Sequence, residues 1–431
     1  MPRLIQAMRD AFSLPDLRRR IIFTVVMLII FRLVAHVPLP GVDLTALNNL
    51  FQNTPLLGML DMFSGGALRR FSVAAMGVYP YITATIIMTI LVPVIPQLQA
   101  LSMEGESGRN KINLISHWLT VPLGALEAYG QLTYLRSQGV ITSGSAPLIM
   151  TTMIISMIAG TVFLIWLGEL ITEHGIGNGI SIIIFGGIVA GYPQTVGQAG
   201  LLGAANIGGL VGYVIIGLAT VVLIVYFTEA HRRIPVQYAK SVFRGGRMYK
   251  QSGATHIPLR VNTAGMIPLI FAMSLVLFPG IVATYFAAPT GSPPNFANIV
   301  VDWFNPNTSP GGFYWIVYFL LTIGFAFFYT MIIFQQQDIP GALQKQGGFI
   351  PGIRPGAQTK KYLDSVIGHI TWAGALFLGV VAIVPFIAQL ITGINLQFSS
   401  MGLIIVVGVV LDTMKQLEAQ LVMRRYEGFI K

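Results

Sequence analysis

Apolar runs long enough to cross a bilayer recur along this chain, and its lysines and arginines crowd into every second gap between them. Nine such runs are clear, at 21–37, 77–96, 114–135, 148–170, 207–228, 264–286, 313–334, 369–392 and 400–420. A tenth, 176–192, is shorter and rich in glycine, which membrane helices tolerate. A hydrocarbon core needs about 20 apolar residues per helix. Lipid offers the backbone no hydrogen-bond partners, so runs of this kind fold as helices. The sequence therefore predicts an all-α polytopic membrane protein with ten spans.

Of the 26 lysines and arginines, 22 sit on one side of that arrangement. The arm before residue 21 holds five, the 97–113 gap two, the 229–262 gap seven, the 335–368 gap four, and the C-terminal end four. The positive-inside rule then puts both termini in the cytoplasm. The short 171–175 gap has no lysine or arginine. The two long basic gaps, 229–262 and 335–368, are read as loops large enough to hold a partner. The first run lacks a small-x-small cleavage site before Pro38, and it reads as a retained span.

Composition narrows the function classes. Hydrophobic residues make up 54% and charged residues 10%, and there is no cysteine. Disulfides, thiolate metal sites and cysteine nucleophiles are thereby excluded. The chain has no Walker A loop, no HExxH and no ligand spacing among its six histidines, so neither cofactor nor metal is expected. Charges inside the spans are few: Arg32, Glu127 and Asp412, with Glu169 near an end. Arg32 is expected to snorkel outward, Glu127 to pair or face a cavity, and Asp412 to lie near the cytoplasmic end. A small-solute secondary transporter with inverted repeats is the competing class, and it would need buried carboxylates along its path. An enzyme would need a catalytic cluster, and none is visible.

Five spans precede the 192–206 gap and five follow it. An odd number per half makes related halves inverted, with the working site between them near the midplane. The halves are drawn at 1–195 and 206–431. One segment resists this scheme. Residues 58–72, GMLDMFSGGALRRFS, are too short and too charged to span. They read either as an amphipathic interfacial helix or as a half-helix folded into a cavity, where broken backbone is tolerated at membrane depth.

Six stretches, in order along nearly the whole chain, carry a resemblance: FSGGALRRFS (63–72), GVYPYITATIIM (77–88), EGESGR (104–109), GIGNGISIIIFGGIVAG (175–191), THIPLRVNTAGMIP (255–268) and GGFIPGIRPG (347–356). Together they resemble the SecY family of protein-conducting channels in the bacterial plasma membrane. The resemblance implies two inverted five-helix halves that close like a clamshell around a pore for unfolded secretory polypeptide. It implies that 58–72, including Met62, Phe63, Ser64, Gly65 and Gly66, is a plug. A ring of aliphatic side chains, Val78, Ile82, Ile180, Ile184, Ile270 and Ile405, would form the constriction. Thr83, Asn262 and Phe278 would mark a lateral gate between the second and seventh spans, its polar members hydrogen-bonding when closed. Signal peptides and hydrophobic segments would pass through it into membrane lipids. The long basic loops, with Arg244, Arg247, Arg354, Lys360 and Lys361, would dock the SecA motor or a ribosome. The small subunits SecE and SecG would be partners. Three departures bear on the docking charges: Asn110 and His117 stand where arginine is common, and Phe243 with the Gly245-Gly246 pair interrupts the 240–250 stretch of the first loop.

Overall fold

The protein is described by a computed structural model that covers residues 14–53, 61, 64–141, 147–203, 207–244, 247–265, 267–284, 286–287, 293–306, 309–337, 339–393 and 400–427. Within 239–254 it gives the backbone alone. Each of the ten predicted runs falls on a helix. The order is α1 (Pro15–Val34), α2 (Leu44–Asn53), α3 (Tyr79–Val94), α4 (Pro96–Met103), α5 (Glu106–Ser137), α6 (Pro147–His174) and α7 (Gly179–Gly203). It continues with α8 (Ile207–Glu229), α9 (Ile267–Thr284), α10 (Phe296–Trp303), α11 (Phe313–Gln337), α12 (Ile339–Lys345), α13 (Ala357–Thr392) and α14 (Ser400–Glu427). Among the described residues, four helices are individually long and apolar enough to cross a bilayer. Counting the bent α3–α4 pair as one span makes five.

Local chemistry sets the breaks. Pro96 starts α4 after an extended Ile95, and the chain turns by 98° there. Gly393, at φ 66°, ends α13 in the left-handed conformation that glycine adopts without strain. The Gly-rich tenth run is a helix, and it is longer than its apolar stretch. It continues to Gly203, so the half boundary drawn at 195 falls inside α7. Pro193 lies within that helix and did not end it.

The two long basic gaps are not loops. Residues His231–Arg244 (β1) and Arg247–Arg260 (β2) form an antiparallel hairpin with Arg244 opposite Arg247. A short strand β3, Gly348–Phe349, comes from the second gap and pairs with Gln237 and Tyr238 of β1. The sheet order is β2-β1-β3. Alternate residues Ile234, Val236 and Tyr238 of β1, with Ile257 and Leu259 of β2, face a small core completed by Phe334, Leu343, Ile350, Leu363 and Val366. The period of two is the strand's own. The basic gaps are thus one folded body seated on the ends of α11 and α13.

A larger core lies between the helices and draws on α1, α3, α6, α7, α8, α9, α11, α13 and α14. A second core gathers Leu47 and Phe51 of α2 with Leu68, Phe71 and Met76, and with residues of α5 and α6.

Candidate functional site

The six expected ring residues stand at or near the starts of four helices. Val78 caps α3 and Ile82 sits on its first turn. Ile180 and Ile184 occupy the first two turns of α7, Ile270 the first turn of α9, and Ile405 the second turn of α14. Val78, Ile82, Ile184, Ile270 and Ile405 belong to the larger core, and Ile180 packs against it. Five of the six therefore share one continuous apolar core, with Ile180 packed against it. All six are uncharged and without polar side-chain atoms, so an ion entering between them would lose its hydration with nothing in return.

The 61–72 segment lies against this cluster. Met62 and Phe63 are outside the described residues. Ser64, Gly65, Ala67, Leu68 and Phe71 are buried, which is not the exposure of an interfacial helix. Gly65 has φ 67° and makes the closest approach. A Cβ there would stand 2.7 Å from Gly187 Cα and 2.9 Å from the Phe31 ring. Gly187 is one turn beyond Ile184 on α7, so the segment rests one turn from that expected ring residue. Gly66, at φ 82°, has open space around it.

Polar groups hold the segment in shape. The Ser64 hydroxyl donates to the Asp61 carbonyl at 2.9 Å and accepts from the Leu68 N–H at 3.0 Å. The Arg69 N–H donates to Asp61 Oδ1 at 3.0 Å, and Arg69 Nε lies 3.2 Å from Oδ2. Burial pushes the Asp61 carboxyl above the ordinary range, against the pull of Arg69. Arg32 is turned inward, contrary to the expected snorkelling. Its Nη1 donates to the Gly65 carbonyl at 2.5 Å. Phe71 has φ 42°, and its carbonyl accepts from the Leu39 N–H at 2.9 Å.

The seam between α3 and α9 is built differently from the expectation. Thr83 and Asn262 form no hydrogen bond with each other. The Thr83 hydroxyl donates to the Tyr79 carbonyl at 3.1 Å and lies 3.4 Å from Glu127 Oε1 of α5. A helical threonine bonds back to the preceding turn, which takes up its single donor. Asn262 lies five residues before α9, in the chain that leaves β2. That chain passes over α13 at Gly374, where a Cβ would meet the Val261 carbonyl at 2.4 Å. Among the described residues, a side-chain hydrogen bond between Tyr79 and Ser274 joins α3 to α9. Phe278 is 63% exposed on the outer side of α9. Glu127, the lone carboxylate of its span, was the visible signal. Tyr79 and Ser274 gave none.

Among the expected docking residues, Arg354, Lys360 and Lys361 are exposed. Arg244 and Arg247 are paired in register at the tip of the hairpin, at the opposite end of the 14-residue strands from the base pair His231–Arg260, and their backbone alone is described. The turn carrying Arg354 is pinned by buried Ile350 and by Thr359, whose hydroxyl donates to the Arg354 carbonyl at 2.9 Å. Gly352 at φ 82° and Gly356 at φ 100° bracket it. At the root of the body, Lys415 Nζ is 2.7 Å from Glu229 Oε1 and Arg260 Nη1 is 4.0 Å from Asp412 Oδ1.

A family model described as SecY matches residues 72–414. The chain belongs to the SecY family. Proteins named "Protein translocase subunit SecY" are similar to it over 99% of its length. The one from Streptomyces galbus is 40% identical and covered over 100% of its own chain. The one from Thermotoga maritima is 40% identical and covered over 98%, and that from Halalkalibacterium halodurans 42% and 100%. Among solved structures, "The structure of a protein conducting channel" superposes with a TM-score of 0.66 at 17% identity, over 94% of this chain and 93% of the other. Sec61 in a canine ribosome-channel complex gives 0.64 at 17% identity, with the same coverage. The fold is that of these channels.

Proposed function

We propose that the chain is the pore subunit of a protein-conducting channel in a bacterial plasma membrane, with both termini cytoplasmic. It passes unfolded secretory polypeptides between its halves, 1–195 and 206–431, and releases hydrophobic segments into lipid between α3 and α9. The observation that carries this reading is the packing of the 61–72 segment, through Gly65, beside the aliphatic cluster of Val78, Ile82, Ile180, Ile184, Ile270 and Ile405. A removable buried segment over an apolar constriction suits a channel that must seal against ions and still admit a chain. Aliphatic side chains close around a peptide without offering it a binding site.

The chain is read as a passive conduit and not as an enzyme. Energy comes from the SecA motor, a ribosome or the membrane potential. The basic body of β1–β3 and α12 is the docking face for SecA or a ribosome. Lys360 and Lys361 support that role, because they sit in the opening turns of α13. Cations near a helix N-terminus are disfavoured by about 0.3–1 kcal/mol each, so the fold gains nothing from them. An acidic partner such as ribosomal RNA would. SecE and SecG are the expected companion subunits, and signal peptides and lipids meet the α3–α9 seam.

The test is reconstitution of the chain with SecE and SecG in vesicles, with SecA and ATP supplied. A secretory precursor should become protected from external protease. Failure of protection, with saturable uptake of a small solute instead, would favour the transporter reading.

A further inference from the structure

Two short amphipathic helices flank the spans, and they are used in opposite ways. In α2 the apolar face is buried, with Leu47 and Phe51 inside the second core. In α10 it is bare. Phe296, Ile299 and Trp303 recur at i, i+3 and i+7, which puts them on one stripe, and all three are exposed. Asn298 and Asp302 lie about 120° away around the same helix. A third stripe faces protein: Phe304, just past the helix end, packs where a Cβ on Gly280 of α9 would be 3.3 Å away, and its ring meets Phe313 edge-on at 5.6 Å.

A helix with one protein face, one apolar face and one polar face has three neighbours to satisfy. The first is α9. The second and third fit the two sides of a bilayer surface. The depth agrees, because Asn295, the cap of α10, is bonded to Phe286, two residues past the end of α9, where an apolar run has just finished crossing the hydrocarbon. The residue types agree as well: Trp303, Phe296 and the exposed Phe286 are aromatic, and aromatic rings concentrate at that level. The Asn295 side chain donates to the Phe286 carbonyl at 2.8 Å, which ties the two ends of this aromatic group together. Asn295 and Asn298 form a capping box, so the helix is held at its start without a partner.

We propose that α10 is a lipid-binding helix that lies in the outer interface of the bilayer and fixes the outer end of α9 at that depth. Its occupant is the phospholipid headgroup and upper acyl region, met by Phe296, Ile299 and Trp303, with Asn298 and Asp302 toward water. The inference rests on the reading of 264–286 as a span. It gives α9, which carries Ile270 and Ser274, an anchor in the lipid as well as in the protein.

The absence of native cysteine makes the test direct. Single Phe296→Cys, Ile299→Cys and Asp302→Cys variants are nitroxide-labelled in the full chain and reconstituted with the small subunits in phosphatidylethanolamine/phosphatidylglycerol vesicles. Accessibility to oxygen and to a water-soluble nickel chelate is then compared. Labels at 296 and 299 should favour oxygen, at a depth of about 5–10 Å, and the label at 302 should favour the chelate. A label on Leu275, exposed in mid-span on α9, reports separately on the span itself. If 275 is lipid-exposed while 296 and 299 are chelate-accessible, the interfacial helix is refuted and the span stands. If 296 and 299 are shielded from both reagents, a protein covers the stripe and the proposal is equally overturned.

Discussion

Gly65 and Gly66 allow the seal to be tested by a difference between neighbours. Both have positive φ, at 67° and 82°. Placing alanine at either costs about 1 kcal/mol of backbone strain. Only Gly65 has neighbours: its Cβ would be 2.7 Å from Gly187 Cα and 2.9 Å from the Phe31 ring. Carbon atoms rest at about 3.5–4.0 Å, so the segment must retreat by roughly 1 Å. Overpacking of this kind adds about 1–3 kcal/mol. The Gly187 side of the contact is backbone of α7, which cannot turn away as a side chain could. Gly65→Ala should therefore weaken the closed arrangement by about 2–4 kcal/mol, and Gly66→Ala by about 1. At 1.4 kcal/mol per decade, the closed-to-open ratio falls roughly 30-fold or more in the first and about fivefold in the second. The assay is ion conductance of reconstituted complexes in planar bilayers without substrate. Equal leak in the two variants would show that the Gly65–Gly187 contact is not what holds the segment over the ring.

Three further outcomes follow from the same geometry. Burial raises the Asp61 carboxyl, so its protonated form favours the closed segment; that contribution is complete below about pH 4 and is lost as pH rises through the elevated value. Leak should rise with pH in the wild type and stay flat in Asp61→Asn, and a parallel rise in both would remove Asp61 from the seal. Arg354→Glu should abolish SecA-dependent translocation while thermal unfolding shifts by no more than about 0.5 kcal/mol, since the side chain is exposed; wild-type translocation would end the docking role. Tyr79→Phe removes the contact with Ser274 across the seam. A hydrogen bond worth about 0.5–1.5 kcal/mol is lost, so a precursor with a weakened signal segment should pass about 2- to 10-fold faster, and an unchanged rate would place the seam's closure elsewhere.

The helices were legible because the bilayer leaves long apolar runs no other structure, and even the Gly-rich run beginning at Ile176 conformed. The hairpin was missed although it had a signal. Ile234, Val236 and Tyr238 alternate on one strand, and Gly245-Gly246 is a two-residue hairpin sequence. Seven basic residues drew the reading toward a solvated loop, and only the core shared with Phe334, Leu343 and Leu363 shows what the alternation serves. Ring, segment and seam were reached through resemblance, because each depends on which helices meet. Nothing local to Gly65 reveals Gly187, 122 residues away, and nothing local to Thr83 shows that it spends its donor on its own helix, beside Glu127. Arg32 was misread for a related reason: a charge in a span snorkels outward only when no inward acceptor is in reach, and the Gly65 carbonyl is one.

The joining of the two basic gaps sets how a partner docked there would act on the pore. A pair of loops would absorb a load by bending. A hairpin whose strands continue α8 at one end and lead to α9 at the other passes it on. Ile270 stands ten residues beyond Arg260, at the end of β2. The second route is α14. Asp412 and Lys415 pair with Arg260 and Glu229 at the root of the hairpin, and Ile405 lies seven residues before Asp412, about 10 Å along the same rigid helix. These ion pairs are exposed, so each contributes at most about 1 kcal/mol and cannot by itself hold the body in place. Their weakness suits a coupling that must give way. The backbone route through α9 is permanent, the ionic route through α14 is reversible, and they end on Ile270 and Ile405, two residues of the proposed ring.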